Sequence, residues 1–455
     1  MRTTVRLPVI ETIEDVAQRQ LCCGCGACAY VSPGTIEMID SLGHGRRPRV
    51  KSQCRSTAEN QAALRVCPGI GLEHSFDRSH PDLIRELVAG WGPVLEVWEG
   101  HATDDAIRFA GSSGGAASAL ALACIEQAGM HGVLHIKARA DVPYLNHTVL
   151  STTREEILSA TGSRYAPASP CDGLQLIEDA PGPCVFIGKP CDVAAVEKAK
   201  QVRPALAEKV GVTIAFFCAG TPTTNATLEL LRRMGVDDPS RVVELRYRGN
   251  GWPGDATVTL RTENGIETRS LSYEESWGGI LTNDKQWRCH VCADHTGEFA
   301  DIAVGDPWYR RVEPNECGSS LVLVRTERGR RILREAVEHG YLALTRADAS
   351  ILTRSQPNLL RGRGAVWARI LVSRLLGVAA PRYHGFPMFR FWLTKLSCME
   401  KVRSILGTAR RVMRRGLRDR TVIVPFIAHD STAEPRLQFD SDQRTDSEVA
   451  LSQAA

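Results

Sequence analysis

Two groups of cysteines hold the chemistry that can be read directly from this chain. The first is the run Cys22-Cys23-Gly24-Cys25-Gly26-Ala27-Cys28, answered by Cys67-Pro68. Cys22, Cys25 and Cys28 repeat every third residue, the rhythm with which a tight loop wraps one cubane cluster, and a cysteine before proline completes such sets. The second group is Cys191, Cys218, Cys289 and Cys292. Thiolates are soft ligands that the metal deprotonates, and a four-iron cluster needs four of them held in one pocket. Two such sets imply electron transfer.

The N-terminal group reads as the surviving half of a two-cluster pattern. In two-cluster bacterial ferredoxins the cysteine before proline in each run ligates the other cluster. Here Ser32-Pro33 stands where the first Cys-Pro would be. The second half keeps Cys54 and Cys67 but has Ser56 and Thr57 where further ligands would be needed. One 4Fe-4S cluster on Cys22, Cys25, Cys28 and Cys67 is the expectation, with Cys23 a spare neighbour and Cys54 a relic or a nearby thiol. A structural zinc site is the rival reading, because Cys-x-x-Cys pairs also bind zinc.

Spacing alone says less about the second group, in which only Cys289-His290-Val291-Cys292 forms a close pair. Position in the fold says more. Residues 184–191 read as a short buried strand and a turn, followed by a helix from near Asp192 through Lys200. Residues 212–218 repeat the pattern, with Thr223 or Thr224 available to cap the next helix. Cofactors of open α/β sheets gather beyond the carboxyl ends of the strands, and Cys191 and Cys218 both fall there. Cys124, on an apolar helix, reads instead as a small buried hydrophobe.

The elements that must position these residues alternate between strand and helix. A ferredoxin-like segment, 1–75, leads through a polar stretch into strands at 93–98 and 132–136, with an apolar helix from Gly115 to Gln127, closed by Gly129, between them. Thr152-Thr153-Arg154-Glu155 has the form of a capping box. A helix reaches Arg233. Strands follow at 242–247, 256–261 and 266–271, the last two joined by a hairpin at Asn264-Gly265. A strand at 320–325 precedes an amphipathic helix over 327–339. The expected class is mixed α/β.

Length and composition agree with this. At 455 residues the chain exceeds what one hydrophobic core usually supports, and a net charge of +4 gives no reason to expect nucleic acid as a partner. The N-terminus lacks the apolar core of a signal peptide, and no apolar run is long enough to span a bilayer. Fifteen cysteines in such a chain argue for reduced thiols and a cytoplasmic location.

Clusters pass single electrons while most metabolites accept pairs, and a flavin is the usual converter. Gly111-Ser112-Ser113-Gly114-Gly115 stands directly before a helix, whose N-terminal N–H groups could receive a pyrophosphate. The motif has neither dinucleotide-fingerprint nor Walker spacing, and a plain tight turn is the competing reading. Lys189 could neutralise a phosphate or a reduced flavin, and Arg164 and Tyr165 could line the same pocket; a solvated lysine and an ordinary exposed loop are the alternatives. Asp306, Trp308 and the glycine-rich loop 248–254 are further candidates for the pocket wall. His290 is as much a bystander as an acid, so no catalytic proton donor is assigned.

Six blocks in order carry a family resemblance: Gly-Ser-Ser-Gly-Gly (111–115), Thr-Gly-Ser-Arg-Tyr-Ala-Pro (161–167), Phe-Ile-Gly-Lys-Pro-Cys-Asp-Val-Ala-Ala (186–195), Phe-Phe-Cys-Ala-Gly-Thr-Pro (216–222), Arg-Cys-His-Val-Cys-Ala-Asp (288–294) and Ala-Asp-Ile-Ala-Val-Gly-Asp-Pro-Trp (300–308). The chain resembles the beta subunit of coenzyme F420 hydrogenase and dehydrogenase, the family that also holds 7-hydroxymethyl chlorophyll a reductase, from about residue 20 to about 345. The resemblance implies a mixed-sheet flavin-binding core made of an N-terminal-type domain, 85–170, and a C-terminal-type domain, 171–345. It also implies FAD near the glycine-rich turn and one 4Fe-4S cluster on Cys191, Cys218, Cys289 and Cys292. Electrons would run between an external donor such as ferredoxin and a two-electron small molecule, which in some members is coenzyme F420. Two readings follow: an oxidoreductase with its own substrate, or a relay subunit of a larger hydrogenase or dehydrogenase complex.

Beyond residue 345 the cofactor motifs end. A helical extension, 346–428, carries Arg403, Arg410, Arg411, Arg414, Arg415, Arg418 and Arg420 interleaved with Ile405, Leu406, Val412 and Met413. Such a helix could rest on an anionic membrane, grip an acidic ferredoxin or simply be solvated. The segment 429–455 is rich in Ser, Thr, Asp and Gln and is expected to be disordered.

Overall fold

A computed structural model of the chain describes residues 7–51, 57–310 and 316–428. Cys54, Ser56 and the segment 429–455 lie outside the described residues.

The central element is an eight-stranded mixed sheet. In chain order its strands are β1 (Glu96–Ala102), β2 (Gly132–Ala138), β3 (Asn146–Ser151), β4 (Cys184–Gly188), β5 (Val210–Phe216), β6 (Ile302–Gly305), β7 (Ser320–Val324) and β8 (Leu342–Arg346). Their spatial order is β8-β1-β7-β6-β5-β4-β2-β3. Strands β6, β5, β4 and β2 pair in parallel, while β7, β8 and β3 run against their neighbours. Five strands, β1 included, therefore point their carboxyl ends to one edge.

Helices cover both faces, as parallel strands require. On one face α1 (Ala116–Glu126) and the helix Glu327–Glu338 bury Leu120, Leu122, Ile332 and Leu333 against Val133, Val185, Val212 and Val322. On the other, α2 (Pro190–Lys200) and the N-terminal segment pack Val193, Val196, Ala27 and Tyr30 against Leu134 and Phe186. A separate antiparallel sheet of three strands (Val242–Arg246, Ala256–Thr262 and Gly265–Leu271) has its own core around Leu230, Tyr247 and Val258. Its hairpin turns between Thr262 and Gly265, as expected from Asn264-Gly265.

Most sequence-read boundaries are met within one to three residues. The capping box lies one residue later than expected, with Thr153 accepting from the Glu156 N–H and the Glu156 carboxylate reaching back. The helix after β4 starts at Pro190, because proline is pre-set for the first helical turn.

The C-terminal extension forms α3 (Pro357–Leu375), α4 (Met388–Lys395) and α5 (Cys398–Arg414). It is woven into the rest: residues 382–384 pair in parallel with 71–73, Arg420 pairs with Asp15, and the Phe426 N–H bonds the Asp40 carbonyl. Among the described residues no helix is long and apolar enough to cross a membrane.

Candidate functional site

The carboxyl edge of the sheet gathers most of the candidate residues. Cys191 follows β4, Cys218 follows β5, Asp306 and Trp308 follow β6, and the turn Gly111–Gly115 packs against the end of β1, where the Ala102 N–H donates to the Gly114 carbonyl. All described cysteines are free thiols.

In the N-terminal loop, Gly24 and Gly26 have φ of +76° and +93°. Those left-handed turns coil the chain tightly enough to bury Cys22, Cys25, Cys28 and Cys67, each 6–7% exposed. Burial raises the Cys28 thiol well above its ordinary value and lifts Cys67 to about 12; charge on Cys22 pushes the same way at both. Cys22, Cys28 and Cys67 pack in one buried cluster. Cys25 turns toward Cys171 and Cys23, and donating its S–H to those two sulfurs holds its proton on. The loop is clamped to the main body: Ser169 Oγ donates to the Gly24 carbonyl at 2.7 Å, the Cys171 N–H to the Cys25 carbonyl at 2.9 Å, and Arg46 pairs with Asp172 at 3.1 Å.

The second set closes across three loops. The Thr221 N–H donates to Cys289 Sγ at 3.3 Å, the Cys218 N–H to the His295 carbonyl at 2.8 Å, and Cys292 Sγ to the Asp294 carbonyl at 3.1 Å. Burial, with Cys289 close by, lifts Cys218 to about 12; burial lifts Cys292 to about 11, against the pull of Arg288. Three cations attend these thiols. Lys189 lies 2.6 Å from Asp192 Oδ2, and although burial would lower it, Asp192 with Cys191 and Cys218 holds its ammonium above the usual lysine value. Lys285 adjoins Cys289 and Cys218. Arg288 donates to the Pro68 carbonyl at 3.0 Å and the Val291 carbonyl at 3.4 Å, bridging the two cysteine sets. Cys23, the neighbour of the first set, also lies beside Cys191 of the second, and each shifts the other's thiol. Lys189 thus lies beside Asp192 and the Cys191 and Cys218 thiols. Burial, reinforced by Arg415, Arg411 and Lys285, holds His290 well below its ordinary pKa.

The glycine-rich turn is a junction of three segments. Ser112 Oγ accepts from the Ser163 N–H at 2.6 Å, Ser113 Oγ donates to the Ser319 carbonyl, and the Gly114 N–H donates to Ser320 Oγ at 2.8 Å. A Cβ on Gly114 would lie 2.8 Å from both the Gly100 carbonyl and the Ser320 nitrogen, so packing itself requires glycine there. Gly115 opens α1 with φ of +74° and no side-chain cap, which leaves the first-turn N–H groups without the acceptor a capping side chain would supply. An anion would find its donors there. Arg164, expected to line the pocket, spends four of its five N–H groups inside the protein, donating to Asn146 Oδ1 and to the Leu245, Pro143 and Leu145 carbonyls. Tyr165 rests on Trp277, ring centroids 4.4 Å apart, and its hydroxyl accepts from Arg248 at 3.3 Å.

Sequence reasoning missed how these parts combine. Arg248 forms a bidentate pair with Asp306 at 2.9 and 3.1 Å, Trp252 Nε1 donates to the same carboxylate at 2.8 Å, and Trp252 and Tyr273 both stack on Trp308. This aromatic and arginine wall adjoins the glycine turn, since the Gly251 N–H bonds the Phe109 carbonyl and Arg246 the Ala110 carbonyl. Cys171 and Arg288 were also missed. Nothing in their local spacing distinguishes them, because their partners lie far away in sequence.

The donors are of the kinds that iron–sulfur clusters and a flavin need: two sets of free thiols, the N-terminal one buried and the second half-buried, with cations beside them, and an uncapped helix start near an aromatic wall. Comparison with known proteins gives the family. Two family models for the beta subunit of coenzyme F420 hydrogenase/dehydrogenase match the chain, the one for its N-terminal part over residues 97–175 and the one for its C-terminal part over 183–350. The chain belongs to this family.

Among relatives, it is 28% identical over 251 residues to the F420-dependent formate dehydrogenase 1 subunit beta of Methanococcus maripaludis, covering 54% of this chain and 60% of that one. It is 27% identical over 257 residues to the coenzyme F420 hydrogenase subunit beta of Methanosarcina barkeri, 55% of this chain and 81% of the relative. With the coenzyme F420 hydrogenase subunit beta of Methanococcus voltae the identity is 26% over 263 residues, 54% of this chain and 83% of the relative. A solved F420-reducing NiFe hydrogenase complex from Methanosarcina barkeri contains a chain that is 21% identical, with a TM-score of 0.48, covering 65% of this chain and 96% of its own.

Proposed function

We propose that this member of the family is an iron–sulfur flavoprotein oxidoreductase. It would pass electrons between a ferredoxin-like donor and a two-electron organic acceptor, coenzyme F420 or another small molecule. Cys22, Cys25, Cys28 and Cys67 would hold one 4Fe-4S cluster and Cys191, Cys218, Cys289 and Cys292 a second; Gly111–Gly115 would receive the pyrophosphate of FAD. When bound, clusters supply single-electron transfer and a flavin converts single electrons into pairs. The chain's own residues do the rest. Lys189, Lys285 and Arg288 balance negative charge on the second set, in a setting where an unpaired buried charge would be costly. The Arg248–Asp306 pair and the Trp252–Trp308 stack keep an aromatic surface beside the glycine turn and exclude water from it. Arg164 and Tyr165 hold that wall in position.

The observation that carries this reading is the closeness of the two cysteine sets, with Arg288 donating both to the Pro68 carbonyl beside Cys67 and to the Val291 carbonyl between Cys289 and Cys292, and with Cys23 beside Cys191. Structural zinc sites have no need to lie near one another; redox centres that exchange electrons by tunnelling do. Anaerobic purification with iron, sulfide and flavin quantification tests it. About eight irons and one FAD per chain are expected. Zinc in place of iron, with no flavin, would overturn the proposal.

A second reading has support of its own, since the relatives named above are subunits of hydrogenases and dehydrogenases. On that reading the chain relays electrons inside a complex and has no substrate of its own. Co-purification of a large hydrogenase or dehydrogenase subunit, with no F420 reduction by the isolated chain, would select it.

A further inference from the structure

We propose that Arg246 grips the pyrophosphate of FAD beside the glycine-rich turn. The inference rests on the FAD reading above and adds to it a residue to which no motif pointed. Arg246 ends the strand Val242–Arg246. Its neighbours Leu245 and Tyr247 fill the core of the three-stranded sheet, so strand alternation sends the arginine to the opposite side, toward the turn. There Nη1 donates to the Ala110 carbonyl at 3.0 Å, one residue before Gly111. Two glycines leave room for the guanidinium: a Cβ on Gly162 would lie 2.8 Å from Nη1, and one on Gly249 only 2.6 Å from it. Both have positive φ, +112° and +121°, so the chain bends around the arginine where a side chain would be strained as well as obstructed. The start of α1 is at the same place. A Cβ on Gly111 would lie 2.9 Å from the Gly115 Cα, and the Ser163 N–H on Ser112 Oγ closes the third side.

Hydrogen bonding sets Arg246 apart from the other arginines of this wall. Arg164 is committed to Asn146 and three carbonyls, and Arg248 to the Asp306 carboxylate, Tyr165 and the Pro253 carbonyl. Arg246 has one hydrogen bond, to a neutral carbonyl, and pairs with no carboxylate among the described residues. It is half-buried, held at one nitrogen and without a counter-charge. That is the state in which a guanidinium offers parallel N–H groups to a phosphate. The uncapped N–H groups at the start of α1 are a second set of donors to the same kind of anion. Two sets of donors suit a diphosphate, one phosphate for each, and so favour FAD over a flavin that carries no phosphate.

The test is equilibrium dialysis of the full, anaerobically purified chain against FAD and, separately, against riboflavin, which has the same ring system and no phosphate. Arg246→Met should raise the Kd for FAD by about tenfold or more, the loss of a hydrogen-bonded charge pair, and leave that for riboflavin unchanged. Arg246→Lys keeps the charge without the fork and should recover part of the loss. Iron content equal to that of the wild type shows that each variant is folded. An unchanged Kd for FAD in Arg246→Met overturns the proposal. So does an equal loss for both ligands, which would make Arg246 a support of the turn through Ala110 and not a phosphate ligand. A wild-type chain that takes up no FAD fails the FAD reading itself, and the inference falls with it.

Discussion

Arg288 is the residue whose position says most about the site. It is 3% exposed, its named hydrogen-bond partners are backbone carbonyls next to Cys67 and between Cys289 and Cys292, and its Nε is unpartnered. Burial would discourage its charge, yet the Tyr383 hydroxyl and the thiols of Cys292, Cys23 and Cys191 keep it protonated. A fixed positive charge stabilises any centre that gains an electron beside it. Arg288→Met should therefore lower the midpoint potentials of the iron centres, by at least tenfold in the electron-exchange equilibrium, or roughly 59 mV for one electron. Arg288→Lys should recover most of the shift, and an EPR-monitored redox titration reads both. Cys25 and Cys23 give a second test at this scale, because the structure brings Cys25 to Cys171 while Cys23 reaches Cys191. Cys25→Ser should cost about half of the iron, as loss of one of two four-iron centres would, and Cys23→Ser should cost none. The opposite pattern would make Cys23 the ligand. The ligand candidates were legible in the sequence because their spacing is local or tied to strand ends. Cys171 was not, since it meets Cys25 only through tertiary folding.

At the scale of elements, the sequence signals that succeeded were those with a short-range cause. The apolar run of α1, the Asn264-Gly265 hairpin and the strand ends at Gly188 and Phe216 all follow from local pattern and turn chemistry. Strands β3 and β8 escaped notice because they are edge strands with mixed polarity, recruited by pairing with β2 and β1 rather than by any apolar run of their own. The docking of the N-terminal loop was equally invisible, yet it decides whether the two cysteine sets can meet. Gly26 is its tightest point: at φ of +93°, a Cβ there would lie 2.7 Å from the Asp172 nitrogen. Gly26→Ala should cost about 1–2 kcal/mol from the left-handed backbone alone, with the clash in addition. The loop would lift off the Ser169–Asp172 turn. Faster loss of half of the iron to a chelator, with the second set retained, is the expected result; uniform loss of all iron would show that the two sets open as one unit.

At the scale of the whole molecule, N-terminal segment, sheet and C-terminal extension meet around one histidine. His74 stacks on Phe299 at 4.8 Å, touches Phe76 and Phe386, and lies 3.2 Å from Glu298, which itself pairs with Arg363 of α3. No sequence pattern announces this junction, because its members come from three parts of the chain. Burial, reinforced by Arg325, Arg363 and Arg78, lowers the His74 pKa to about 3, so the ring is neutral in the folded protein. In the unfolded chain it titrates near 6.5. Between those values the unfolded state binds the extra proton, so stability rises with pH and is lost on acidification below about pH 6.5, at roughly 1.4 kcal/mol per pH unit. By pH 5 the loss from this one group is about 2 kcal/mol. His74→Phe keeps an aromatic ring among its neighbours and removes the titration. In urea unfolding followed by tryptophan fluorescence, the wild-type midpoint should fall more between pH 8 and pH 5 than that of the variant. Equal falls would mean that His74 titrates alike in the folded and unfolded chains, and a smaller wild-type fall would mean that the folded protein holds it protonated against Glu298, making the junction an electrostatic lock rather than an aromatic one.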